Sequence, residues 1–511
     1  MTHVIQLPRF LEDALRIVAP ILCLPFCLLP AAAQSSGALP GAPVPAKPSL
    51  HTGLPPALHA HAAAEPQDQP IDAEPEPAPA SSEAVTVFPH PDNTRYYVGG
   101  QANSIGQVND SFHSPYEGTN SFLPGVHPKV SFVGTFYTAL QAIKNPRLNT
   151  DLIGDAESSG GRGLSQALGL AGFTNLDVVR NPNLGSAPYL ARGQIHQTIG
   201  LTSELTDADR TPLSLATKVP SRRFDFRIGK MTMPDLFDIN PVGSDSHLQF
   251  TNWAVDNNGA WDYAADTRGY TVAAVLEYDD RHWSARYAFA AMPTTPNGID
   301  LDWAFNRANG QNMEFQLNKS FLPGRHGETR ILSFVNKARM GVYKDAINNY
   351  LSGKTPTPDI NYNARFGTVK YGFGWNNWQE LTSNLRVFSR FGWNEGAHES
   401  YAYTEIDQTI LFGGDYSLSR WHQPDDKVGV AFVTNAIKKY HQIYLAYGGL
   451  GFILGDGHLN YGRENIVETY YTHHVSSGLF VSAGLSHVGN PGYNRDRGPV
   501  WIPAVRAHVD F

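Results

Sequence analysis

Polar and apolar residues alternate in many stretches of this chain, and in the clearest of them the polar members are charged. Phe224, Phe226 and Ile228 share one parity, and Arg223, Asp225 and Arg227 share the other. A period of two sends successive side chains to opposite faces of an extended strand. The chain closes on the same pattern. Phe511, Val509, Ala507, Val505 and Trp501 stand against Asp510, His508, Arg506 and Ala504, with Ile502 and Pro503 interrupting. Further strands are predicted at 95–103, 129–140, 190–201, 313–317, 329–340, 365–375, 384–393, 409–417, 428–437, 464–473 and 478–487. Residues 271–278 and 283–291 form a predicted hairpin, because the intervening Asp279-Asp280-Arg281-His282 is too short for a crossover helix. Short helical pieces are expected at 233–237 and 343–351, in loops or folded inward. No repeat of solenoid or propeller length is visible.

The first 91 residues break this texture. Arg9 and Arg16 precede the apolar run 17–29, which Ala31-Ala32-Ala33 follows before Gln34. That is the layout of a secretory signal over residues 1–33. The run carries Pro20 and Pro25 and falls short of the ~20 apolar residues of a spanning helix. Both cysteines, Cys23 and Cys27, lie inside it. A processed chain would therefore hold no thiol, disulfide or cysteine metal site. Residues 34–91 are rich in Ala and Pro without apolar periodicity, so they read as a disordered linker. Residues 94–511 are the third segment, a single β-rich domain.

Composition matters once position is known. The chain is 41% hydrophobic and 17% charged, with a formal net charge of −8 and no basic block, which speaks against nucleic acid. After the signal no stretch approaches 18 consecutive apolar residues, which excludes a helical membrane protein. It does not exclude a barrel, where every second strand residue faces lipid. At roughly 10 residues per strand plus turns and long loops, residues 94–511 supply about 16 strands, with 18 as the alternative count. The predicted fold is thus all-β: one transmembrane antiparallel β-barrel with short helices in its loops. A barrel this wide leaves an aqueous lumen.

Several segments are more specific than composition. They are Ser111-Phe112-His113-Ser114-Pro115-Tyr116, residues 167–175 (ALGLAGFTN), 242–250 (VGSDSHLQF), 253–261 (WAVDNNGAW), 448–452 (GGLGF) and 490–500 (NPGYNRDRGPV). Together they resemble the carbohydrate-selective porin (OprB) family. The likeness spans about residues 94–511, and 490–500 is its most telling part. The Gly-Asp-Trp-Gly-Gly motif common near the start of many members is not found, which marks a divergent branch. The resemblance implies passive diffusion of mono- or oligosaccharides across a bacterial outer membrane. A terminal Phe511 likewise resembles the closing strand of outer-membrane barrels, whose assembly machinery reads that terminus. Outer-membrane lipid and sugars are then the expected partners. Monomer and homo-oligomer both stay open, and no cofactor is expected.

A sugar pore needs aromatic faces for the pyranose ring and charged groups for its hydroxyls. The candidate substrate-binding residues are Arg223, Asp225, Arg227, Glu277 and Arg286 on lumen parity. Trp253 or Trp261 is the expected stacking partner, in a segment (253–268) placed to fold inward as a constriction loop. Arg386 and Arg390 share lumen parity on a later strand. Enzyme signatures are weak: there is no Gly-x-Ser-x-Gly, His-Glu-x-x-His or P-loop. The acidic pair Asp155 and Glu157 reads as structural, and no metal site is expected. The alternative function is a secreted or surface β-protein that binds or cleaves glycans.

Overall fold

The computed structural model describes residues 86–178 and 184–511. The expected signal, 1–33, and residues 34–85 of the expected linker lie outside the described residues. The strands in chain order are β1 (Tyr96–Gln107), β2 (Lys129–Ile143), β3 (Leu148–Gly161), β4 (Tyr189–Gly200), β5 (Leu205–Asp207), β6 (Lys218–Pro220), β7 (Arg223–Met231), β8 (Thr271–Asp279) and β9 (Trp283–Ala290). They continue as β10 (Asn309–Leu317), β11 (Gly327–Met340), β12 (Arg365–Glu380), β13 (Leu385–Asn394), β14 (Gln408–Ser417), β15 (Lys427–Ala436), β16 (Glu464–Ser476), β17 (Leu479–Gly489) and β18 (Val500–Asp510). All but β5 and β6 join one closed antiparallel barrel, so it has the expected 16 strands. β1 pairs with β18 to close it, Gln101 opposite Asp510 and Gln107 opposite Ala504. Closure gives every strand two partners, the condition for placing a sheet in hydrocarbon.

Parity decides which side chain goes where. Phe224, Phe226, Leu276, Val481 and Leu485 point outward and are exposed, while Arg506, His508 and Asp510 point inward and are buried. A one-residue slip would exchange these sets, so the outward apolar band and inward polar lining fix the register together. The 343–351 helix forms as expected (Tyr343–Leu351). The 233–237 piece is a single 3-10 turn, Met233–Asp235. A one-turn helix, Trp253–Asp256, and a longer one, Lys439–Ala446, were not anticipated.

Most connections divide by length, with 201–222 as the long exception at the turn end. Residues 144–147, 280–282, 381–384 and 477–478 are tight turns at one end, which also holds Phe511. Residues 108–128, 162–188, 232–270, 341–364 and 437–463 are long connections at the other. Outer-membrane barrels turn tightly on the periplasmic side and loop widely outside. We call the two ends periplasmic and outer accordingly.

Candidate functional site

The inward faces of β7 to β11 carry a cross-strand row of acidic and basic side chains. Asp225 lies opposite Glu277, Glu277 opposite Arg286, and Arg286 opposite Glu314. Like charges directly opposite repel, and guanidinium groups intervene. Arg286 bridges Glu277 and Glu314 at 2.5 Å each and donates to Gln316 at 2.8 Å. Arg330 on β11 joins Glu314 at 3.1 Å and Glu328 at 3.2 Å. Arg223 binds Asp225 at 2.6 Å and Asp279 at 3.0 Å. Asp225 also meets His196 of β4 at 2.8 Å. Arg227 donates to the Leu213 carbonyl at 3.0 Å. The five charged candidates therefore sit on three adjacent strands: Arg223 pairs with Asp225 and Arg286 with Glu277, while Arg227 turns to the Leu213 carbonyl.

Above this row the outer connections fold into the lumen and narrow it. Residues 162–178 and 232–270 turn inward and bury Leu170, Phe173, Phe250, Trp253, Trp261 and Tyr263 in one cluster with Phe122 and Tyr403. These segments are too apolar to lie in water, and they cover one another. Their backbone N–H groups are met by carboxylates on the wall, as buried donors require. Glu464 accepts from Ala171, Gly172 and Gly492 at 2.8–2.9 Å. Glu468 accepts from Thr251 at 2.8 Å and Asn252 at 3.1 Å. Glu314 takes Asp238 at 2.7 Å, tying the inward connection to the charged row. Arg390 binds the Val255 carbonyl at 2.5 Å and the Asp238 carboxylate at 3.0 Å. Gly169, at φ +81°, passes so near Phe122 that a Cβ would sit 1.8 Å from its nitrogen.

The segments that carried the family likeness meet here. Arg497 pairs with Asp456 at 2.5 Å and donates to Phe122 and Ser114. Tyr116 and Asn460 both donate to Asp496. His247 pairs with Asp177 at 3.2 Å and stacks on His508 of the wall. Burial opposes charge on both partners. Even so, Asp177 raises the His247 imidazole above its ordinary value, and His247 holds the Asp177 carboxyl below its own.

The two tryptophans do not offer a stacking face. Trp253 is fully buried between Tyr403 and Phe173 and donates its indole N–H to the Asn175 carbonyl. Trp261 packs against Tyr263 and Phe237 and donates to Asn312. The inward fold of their segment was legible, but their rings hold that fold together instead of lining the path. Arg386 pairs side-on with Asp415, and Arg390 anchors residues 238–255. Asp155 and Glu157 are engaged by Arg192 and by Tyr189 and Tyr270. Glu314, Glu328 and Arg330 were not singled out, although their strands were expected. Glu314 stands between outward Met313 and Phe315, a parity signal that could have found it.

A closed 16-strand barrel with a charged lumen narrowed by its own inward connections is an outer-membrane diffusion channel. The chain belongs to the carbohydrate-selective porin, OprB family, whose family model matches residues 155–511. It is therefore a sugar porin of the bacterial outer membrane. The high-pH structure of Pseudomonas putida OprB superposes with a TM-score of 0.62 at 16% identity, covering 81% of this chain and 94% of that one. The DcaP channel of Acinetobacter baumannii gives 0.45 at 8% identity, covering 81% and 97%. OmpT of Vibrio cholerae gives 0.42 at 10%, covering 82% and 98%. No curated protein sequence matches the chain.

Proposed function

We propose that saccharides cross this porin along the charged row of β7 to β11, just below the inward connections. Arg223, Asp225, Arg227, Glu277 and Arg286 form the binding zone, extended by Glu314, Glu328 and Arg330. The observation that carries the reading is the direct cross-strand succession Asp225, Glu277, Arg286, Glu314. Neutral sugars gain nothing from long-range steering. They exchange water for charge-assisted hydrogen bonds, which paired guanidinium and carboxylate groups offer in both senses. Because each charge is already partnered, binding stays weak enough for release, as conduction requires. Passage is passive, and no catalytic step is assigned to any carboxylate pair. We also propose that Phe511 serves recognition by the barrel-assembly machinery, and that residues 1–33 are removed as a signal, leaving 34–91 as a periplasmic linker.

Single-channel recording in planar bilayers tests the reading. Mono- and oligosaccharides should block the ion current of the wild-type pore. Arg286→Gln should reduce that block more than it changes the open conductance. Absence of sugar-dependent block in the wild type would sink the proposed zone and leave a general diffusion pore.

A further inference from the structure

The periplasmic turns are short with one marked exception, residues 201–222 between β4 and β7. This connection builds its own hairpin from β5 and β6, Leu205 opposite Pro220 and Asp207 opposite Lys218. Its tip closes on a Thr211–Ser214 bridge. A simple turn would join two neighbouring barrel strands, so the extra length needs another explanation.

The tip does not hang in solvent. Leu213 and Leu215 are buried against Ala139 of β2, Ile153 of β3 and Tyr97 of β1. All three wall residues are on the inward parity, beside polar inward neighbours such as Gln141, Asp151 and Asp155. An apolar patch on a wetted lumen wall is costly unless something covers it. The wall here is built to receive the tip. Its depth follows from the strand. From Leu148 at the periplasmic end of β3 to Ile153, at roughly 3.3 Å per residue and a tilt near 40°, the climb is about 12 Å.

Three further contacts hold it. Arg227 donates to the Leu213 carbonyl at 3.0 Å. The Leu215 N–H donates to Asp151 at 3.0 Å. Arg210 reaches back to the Thr94 hydroxyl at 2.9 Å and the Tyr96 carbonyl at 2.6 Å at the rim. The lumen is thus entered from both ends, by residues 162–178 and 232–270 from outside and by 208–217 from the periplasm.

We infer that residues 208–217 form a second constriction, at the periplasmic mouth, which limits the size of the saccharide that leaves the pore. Leu213 and Leu215 seat the insert and Arg227 and Asp151 position it. This deepens the reading of the lumen as the sugar path. Its test uses small ions and inert polymers, so it stands or falls apart from sugar binding.

The first variant replaces residues 208–217 with Asn-Gly, a two-residue turn that suits a hairpin. In planar bilayers it should show a higher open conductance than the wild type. Neutral polyethylene glycols of graded size should enter it at larger masses. Wild-type conductance with a wild-type exclusion limit overturns the inference, even if the barrel becomes less stable, because a purely structural strap predicts that result. Should the shortened chain not fold, Ser214→Cys decides, with Cys23 and Cys27 replaced by serine. Ser214 is half-buried at the tip. A trimethylammonium-bearing thiol reagent added on the periplasmic side should then lower the conductance in a step. Labelling without any change in current overturns the inference.

Discussion

Glu314→Gln is the most direct probe of how the charged row is held. The substitution keeps the shape of the side chain and removes its charge. In the wild type one carboxylate oxygen accepts from Arg286 at 2.5 Å and Arg330 at 3.1 Å, and the other accepts from the Asp238 N–H at 2.7 Å. An amide has one oxygen and one NH2, so a donor must face either the guanidinium groups or the Asp238 N–H. Stranding a buried charge costs roughly 3 to 5 kcal/mol. Here both arginines keep a carboxylate, Glu277 and Glu328. The loss is nearer that of one charge-assisted hydrogen bond, about 2 to 3 kcal/mol. Glu328→Gln, at a quarter-exposed side chain, should cost below about 1 kcal/mol. Urea unfolding in lipid vesicles followed by tryptophan fluorescence measures the difference. The reversal potential in a salt gradient should also move toward anion selectivity in Glu314→Gln, since the lumen gains positive charge. Wild-type stability together with an unchanged reversal potential would refute the network.

Other expectations follow from the same geometry. Phe226→Arg puts a charge on the lipid-facing side of β7 and should destabilise the barrel by roughly 2 to 4 kcal/mol if near the midplane; vesicle unfolding reads it, with Phe226→Leu as the tolerated control. Deleting Phe511 should lower the amount of protein inserted in cells, seen in outer-membrane fractions, while the surviving pores keep wild-type conductance. The His247–Asp177 pair should add stability over a defined pH window. Asp177 is lowered, so its contribution is complete above its ordinary value of 3.8 and is lost as pH falls through the lowered one. His247 is raised, so its share is complete below its ordinary 6.5 and is lost as pH rises through the raised value. Thermal unfolding in detergent should show that dependence, and His247→Gln should flatten it.

The wall was legible because its physics is local. On β7 the alternation is clean from Arg223 to Ile228, and on β7, β8 and β9 observed bounds such as Thr271–Asp279 depart from expectation by a residue at most. β3 was missed for a reason of the same kind. Its inward positions include Asn149, Asp151, Asp155 and Glu157, while Thr150, Gly154, Ala156 and Ser158 face out with little apolar contrast. The charged row was half legible: parity placed Arg223 to Arg286 on one face, but the closeness of Glu314 and Arg330 depends on the order of strands around the barrel. The tryptophans show the limit. Their inward segment could be guessed, yet whether an indole lines a path or fills a core is decided by residues such as Phe173 and Tyr403, far away in sequence.

The seam between β1 and β18 has a kinetic meaning. Residues 101–107 are bonded to 504–510, and Gly100 and Phe511 exchange backbone hydrogen bonds at 2.5 and 2.9 Å. Joining ends about 400 residues apart costs roughly 5 kcal/mol of chain entropy if nothing between them is ordered. Each hairpin formed in between shortens the effective loop, so the local pairs from β2 to β17 must come first and the seam last. Until it zips, the sheet carries two raw edges that invite pairing with another chain. The same order run backwards makes this seam the place where the finished cylinder would part first.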